Sequence, residues 1–177
     1  MAFDAFFLSA VLAEIQAKTQ SARVEKIHQP RRDTVLLLLK CSEGREKLLL
    51  AANPAAPRLH LTADSPENPP EPPMFCMLLR KHLTSSRIVS IKQCEFERVV
   101  RLELDSGDEM GFRSRYSLYL EIMGRNSNMI FCDKDERILA AIRTSDLTSA
   151  TQRKVIKGFV YELPDKQDKT DTHSVSE

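Results

Sequence analysis

The sequence predicts an α+β domain dominated by antiparallel sheet. Three observations carry that prediction. Roughly nine strand-like segments are punctuated by turn residues. Only two stretches repeat apolar residues at helical spacing, and both precede runs of strands. No strand–helix alternation of the parallel α/β type is present.

Asp4 is placed to N-cap a first helix, with Phe3 before it and Leu8 after it as a hydrophobic staple. Phe7, Val11 and Ile15 repeat at helical spacing, so this helix is expected to run to about Thr19. A short strand over 23–28 follows, then a turn over 29–33. The runs 34–41 (TVLLLLKC) and 47–52 (KLLLAA) flank the Gly-containing turn 42–45, which suggests a hairpin. Residues 62–73 (TADSPENPPEPP) contain five prolines and read as an extended surface loop. Pro73 suits the first position of a second helix over 74–84, because its missing N–H costs nothing there. Met74/Leu78 and Phe75/Leu79 supply i,i+4 pairs for the core. Arg80, Lys81 and His82 put positive charge in its last turn. Strands are expected over 87–93, 98–104, 113–122, 129–132 and 137–143, with turns at 105–108 and 133–136 and a short helix towards the end of 144–157. From Asp165 the chain is polar, with nothing to bury, and is expected to be disordered. The domain therefore occupies 1–164 and the tail 165–177.

Composition excludes several classes. The 177 residues are 42% apolar and 29% charged, ordinary for a globular domain. No apolar run approaches the roughly 20 residues of a membrane span. Residues 3–12 are apolar but follow no basic segment and include Asp4, which argues against a signal peptide. Cys41, Cys76, Cys94 and Cys132 are scattered and read as reduced core residues of a cytoplasmic protein. The net charge is +1, and the tail alone holds two lysines and four acids. The remaining mild positive balance permits a local basic patch without predicting one. His60 and His82 have no partners at metal-ligand spacing, so neither metal nor cofactor is expected.

One stretch interrupts two apolar runs in an informative way. EIMGRNSN at 121–128 separates YSLYL from MIF. Gly124 permits a positive φ where a strand breaks. Arg125 offers a rigid planar donor set, and Asn126, Ser127 and Asn128 offer short donors and acceptors. Such a loop could cup a phosphate. It could equally be a self-satisfied turn, with Arg125 bridging to Glu121. Gly124 and Asn128 fit the architectural role, and Arg125 fits contact with such a phosphate.

Several stretches together resemble the N-terminal domain of the NFACT family. They are MAFD at 1–4, VEKIHQP at 24–30, LLLAANPAAPRLHLT at 48–62, ENPPEPPMFCMLLRKHL at 67–83, RIVSI at 87–91, FERVV at 96–100 and EIMGRNSN at 121–128. Bacterial family members are known as RqcH or fibronectin-binding protein A. The resemblance covers 1–164. It implies an antiparallel β-sandwich flanked by helices, like the N-terminal domain of formamidopyrimidine-DNA glycosylases. The glycosylase nucleophile, an N-terminal proline, is absent, since Ala2 and Phe3 follow Met1.

The resemblance also implies a non-enzymatic, cytoplasmic role in ribosome-associated quality control. Relatives bind the large ribosomal subunit carrying peptidyl-tRNA and recruit tRNA, alanyl-tRNA in bacteria, for C-terminal tailing. The older family name implies a fibronectin-binding surface adhesin as the alternative. A family Asp-Arg dyad falls on Glu97-Arg98, with the acid one methylene longer here. Arg98 can fork two N–H groups to a phosphate or base edge, or form an ordinary surface pair with a neighbouring acid. Phe96 is either a stacking platform for a base or a core residue. Arg80, Lys81, Arg31 and Arg32 are further candidates for phosphate contact. The candidate RNA-binding set is thus Glu97, Arg98, Arg125, Asn126, Asn128, Arg80, Lys81, Arg31 and Arg32.

Overall fold

A computed structural model describes residues 5–95, 97–107, 110–148 and 153–164. The first helix, α1, spans Ala5–Thr19. The strands β1 (Arg23–Arg31), β2 (Thr34–Cys41), β3 (Gly44–Ala51) and β4 (Arg58–Thr62) follow it, and α2 spans Met74–Leu83. Five more strands complete the fold: β5 (Arg87–Gln93), β6 (Val99–Gly107), β7 (Arg113–Glu121), β8 (Asn128–Cys132) and β9 (Ile138–Ala141). The class is α+β, as the sequence predicts.

The strands pair antiparallel in the order β4-β3-β2-β1-β5-β6-β7-β8-β9. In pairing terms this is one nine-stranded sheet, where the family resemblance implies a sandwich. The reason is the junction: β1 meets β5 at a single register pair, Arg23 with Arg87. Both halves still bury their apolar faces in one core. Leu37, Leu39 and Leu48 lie there with Leu102, Leu118 and Phe131, and with Leu12 of α1 and Leu79 of α2. Burial of such a shared face is the main driving force for the fold.

Because the junction is so short, most of one β1 edge has no strand beside it. Helix α2 covers it instead. Arg80 Nε donates to the Ile27 carbonyl at 2.7 Å, and Cys76 Sγ lies 3.6 Å from the same oxygen. An otherwise orphaned edge carbonyl is thereby satisfied.

Several expectations shift in detail. The apolar stripe of α1 is rotated by one residue: Leu8, Leu12 and Ile15 are buried, while Phe7 is 44% exposed. The proposed cap at Phe3 and Asp4 lies outside the described residues. β1 runs through the expected turn and leaves only Arg32 and Asp33 to make it. β4 was not expected as a strand; its HLT end pairs with Lys47, Leu48 and Leu49 of β3. Pro73 sits at the N-cap of α2, one position before the helix. Phe75/Leu79 pack in the core, whereas Met74 is 83% exposed, because the helix turns that edge to solvent. β6 extends through Gly107, past the expected turn start. Residues 144–148 and 153–157 form no helix, and 149–152 lie outside the described residues, as does the tail from Asp165.

Candidate nucleic-acid interface

Two loops meet at one end of the β5–β8 half. The first joins β5 to β6. It is a tight turn in which the Glu97 amide donates to Cys94 O and the Cys94 amide to Val99 O, both at 2.8 Å. The Gln93 side chain donates to Glu97 O at 2.8 Å. The second loop joins β7 to β8 through a single 3-10 turn, Gly124–Asn126. Gly124 has φ +56, the left-handed conformation expected where this strand breaks. The Ile122 amide donates to Arg98 O at 2.8 Å, so the two loops are hydrogen-bonded to each other.

This rim brings together candidates that lie 27 positions apart in sequence, Arg98 and Arg125. Arg98, Arg125 and Asn126 are exposed, and Glu97 is half-buried. Neither arginine has an ion pair or side-chain hydrogen bond among the described residues. Phe96 lies outside the described residues.

Asn128 behaves differently. It is 6% exposed and its amide is fully used. Nδ2 donates to Arg143 O at 2.8 Å, while Oδ1 accepts from the Arg143 amide at 2.9 Å and from the Met129 amide at 2.8 Å. It shapes the loop and is withdrawn from any ligand. Ser127 is also buried, and its Oγ accepts from the Met123 amide at 2.9 Å.

The expected bridge from Arg125 to Glu121 does not form, because Glu121 is taken. Its carboxylate is 1% exposed, pairs with Arg153 and accepts from Tyr161 Oη at 2.6 Å. Burial, with the Glu121 charge beside it, pushes the Tyr161 hydroxyl well above the usual phenol range, so it stays a donor. The end of β7 is thus anchored immediately before the rim loop.

Arg143 ties the rim to the other half of the sheet. Its guanidinium donates to Ser127 O and, at 3.1 Å, to Ala52 O, and lies 3.9 Å from the Asp33 carboxylate. Arg32, next to Asp33 in the β1–β2 turn, and Arg31 are exposed. The clamp places that turn beside the rim loop. Arg143, Arg153 and Tyr161 were absent from the sequence-derived candidates. The signal that could have found them was the buried polar pair Glu121 and Asn128, which needs partners from elsewhere in the chain.

The Arg80–Lys81 pair belongs to another region. Arg80 is committed to Ile27 O and lies 3.4 Å from His28 Nδ1. His82 bonds Tyr116 Oη at 3.1 Å. Burial lowers the pKa of both histidines. Only Lys81 remains exposed there. Among the described residues, no cluster of three or more His, Cys, Asp or Glu is placed to hold a metal. No described helix is long and apolar enough to cross a membrane.

The family model for NFACT N-terminal and middle domains matches residues 4–177. The chain is 38% identical to the Rqc2 homolog RqcH of Bacillus subtilis, over all of this chain and 31% of that protein. It is 32% identical to the human ribosome quality control complex subunit NEMF, over 80% of this chain and 12% of that one. It therefore spans about a third or less of the length of these curated relatives. Among solved structures, the N-terminal domain of fibronectin-binding protein PavA from Streptococcus pneumoniae superposes with a TM-score of 0.89 at 30% identity. That match covers 99% of this chain and 69% of the other. The N-terminal part of the fibronectin/fibrinogen-binding protein of Streptococcus suis also gives 0.89, at 34% identity over 93% of this chain and 62% of that one. The two-helix antiparallel fold, the GRNSN rim and the sequence match agree: this chain belongs to the NFACT family, whose members include factors named for ribosome quality control.

Proposed function

We propose that this chain is the tRNA-holding domain of a ribosome-associated quality control factor, and that the Arg98–Arg125 rim is its tRNA contact. The observation that carries the reading is the hydrogen bond between the two loops, which puts two exposed arginines without ion pairs among the described residues on adjoining loops. Guanidiniums of this kind fork to phosphate oxygens or base edges. Glu97 sits at the same turn and accepts from a base amino group or orients Arg98. Asn126 adds a short amide at the same rim, and Arg31 and Arg32 add charge at its far side. Asn128 and Arg80 serve as scaffold in this reading, because their polar atoms are already committed.

The domain is not an enzyme in this account. It positions tRNA, alanyl-tRNA for a bacterial factor, on a large subunit with peptidyl-tRNA, in the cytoplasm. Peptide-bond formation stays with the ribosome. In this reading the likeness to the first domain of formamidopyrimidine-DNA glycosylases that the resemblance implies is one of fold alone.

A second reading, a fibronectin-binding surface protein, draws on the names of the structural neighbours. One experiment separates the two. The parent protein, extended to its natural C-terminus, is purified gently from its own cells and the accompanying RNA is sequenced. One tRNA family enriched together with large-subunit ribosomal RNA supports the first reading. RNA no greater than in a mock purification removes that support and favours the adhesin.

A further inference from the structure

The face of β5–β7 that turns away from the main core has two unlike ends. Near the rim it is roofed by a small second core, in which Tyr119 stacks on Tyr161 at 3.9 Å between centroids. At the other end it is bare and cationic. Six residues of strand, about 20 Å, separate Val99 at the rim from Asp105 at this far end.

One register line crosses four adjacent strands there. Arg23 of β1 faces Arg87 of β5, Arg87 faces Asp105 of β6, and Asp105 faces Arg115 of β7. Residues directly opposite one another in an antiparallel sheet point to the same face. The three arginines are exposed, and Asp105 is half-buried between them. Arg113, one step further along β7, donates to Asp105 at 2.8 and 3.0 Å. Arg115 lies 3.7 Å from Glu103. The carboxylates are low in the ladder and the guanidiniums stand above them.

Arg23 and Arg87 are the informative pair. The Val24 amide donates to Ser86 O and the Ile88 amide to Ala22 O, each at 2.8 Å. Those bonds bracket the pair, so Arg23 and Arg87 occupy a non-hydrogen-bonded site, where cross-strand side chains approach most closely. Like charges directly opposite destabilise a sheet. Here they occupy the one register pair that joins the two halves. Neither has an ion pair among the described residues. Asp105, opposite Arg87 on its other side, offsets part of that repulsion, but Arg23 faces cations on both sides, Lys40 of β2 and Arg87, and an anion seated above the pair would relieve the rest.

We propose that this arginine ladder is a second RNA contact, a sequence-neutral seat for the phosphate backbone of structured RNA, separate from the Arg98–Arg125 rim. The proposal rests on the RNA-binding reading above and extends it to a different surface. Several guanidiniums spaced across adjacent strands of a solvent-facing sheet fit a run of phosphates, and no base-reading group is needed. Backbone contact of this kind releases counterions and is strongly salt-dependent.

The test uses the 177-residue chain and a fluorescein-labelled RNA hairpin of mixed sequence, titrated at several salt concentrations. The combined Arg23→Gln, Arg87→Gln, Arg115→Gln variant is expected to bind about tenfold more weakly or worse, with the salt slope reduced by about one per lost contact. Its melting temperature is expected to stay close to that of the unmodified chain, since the Arg23–Arg87 repulsion is gone while Asp105 loses Arg87 and Arg115 and keeps Arg113. Arg23→Glu is the second variant: it turns the repulsion into an attraction to Arg87 and to Lys40, which faces position 23 from β2, and should melt higher while binding RNA less. Unchanged affinity and slope in these folded variants overturn the proposal. Failure of the unmodified chain to bind the hairpin does so too, as does binding of heparin in place of RNA. Arg98→Ala, tested in parallel against tRNA, reports on the rim alone, so the two readings fail separately.

Discussion

Arg125 and Asn128 stand three residues apart in one short loop and have opposite fates. Arg125 is exposed with no partner among the described residues, whereas Asn128 is buried with its amide bonded on both atoms. The same division holds at the level of regions. The rim loops carry uncommitted donors, and the layer beneath them carries arginines of the same chemistry that are fully engaged: Arg143 across the two halves of the sheet and Arg153 on Glu121. A motif such as GRNSN is therefore two things at once, a contact surface and its own support. Mutations should separate them: support residues should change stability first, and contact residues should change binding alone.

The largest effect is expected beneath the rim. Arg153→Ala leaves the Glu121 carboxylate buried without its cation. Breaking a buried pair in this way costs about 3–5 kcal/mol, read as a lower urea midpoint at unchanged slope. Asn128→Ala strands the Arg143 amide and carbonyl and should cost about 1–3 kcal/mol by the same measurement.

A smaller change should follow acidification. Burial, with Arg80 and Lys26 nearby, lowers the pKa of His28; burial, with Lys81 nearby, lowers that of His82. The folded state thus prefers both rings neutral, while the unfolded chain takes up protons near the ordinary value of 6.5. This contribution is complete above pH 6.5 and is lost as pH falls below it through the folded pKa values. Melting temperatures followed between pH 7 and 5 should fall, and His82→Gln should flatten part of that fall. The smallest effect on stability belongs to the rim itself. Arg98→Ala and Arg125→Ala should each lie within about 0.5 kcal/mol of the unmodified chain, as exposed, unpaired positions do.

Much of the fold was legible because it is written in local chemistry. The boundaries of β2 and β5 match the apolar runs that predicted them, and Pro73 marks the start of α2. The single-sheet pairing was not legible. It depends on the Arg23–Arg87 bridge, whose partners lie 64 positions apart, with β2, β3, β4 and α2 between their strands, and leave no periodic trace. The rotated face of α1 was missed because Phe7 is large and apolar yet faces solvent, while Leu8, one position on, does the packing. At the site, Gly124 and Arg125 could be singled out from residue type and context, and Arg98 through the family resemblance. Arg143 and Arg153 could be reached only indirectly, through the polar Glu121 and Asn128 that flank the apolar strands and need partners, since a lone arginine in a polar stretch gives no sign of a buried acceptor elsewhere.

The most direct test of the central claim is a titration of labelled tRNA with the chain carrying both Arg98→Ala and Arg125→Ala, alongside its thermal melt. The account predicts an unchanged melt and a tRNA affinity weaker by about tenfold or more, the equivalent of about 1.4 kcal/mol. A folded double variant that binds tRNA as tightly as the unmodified chain would contradict it.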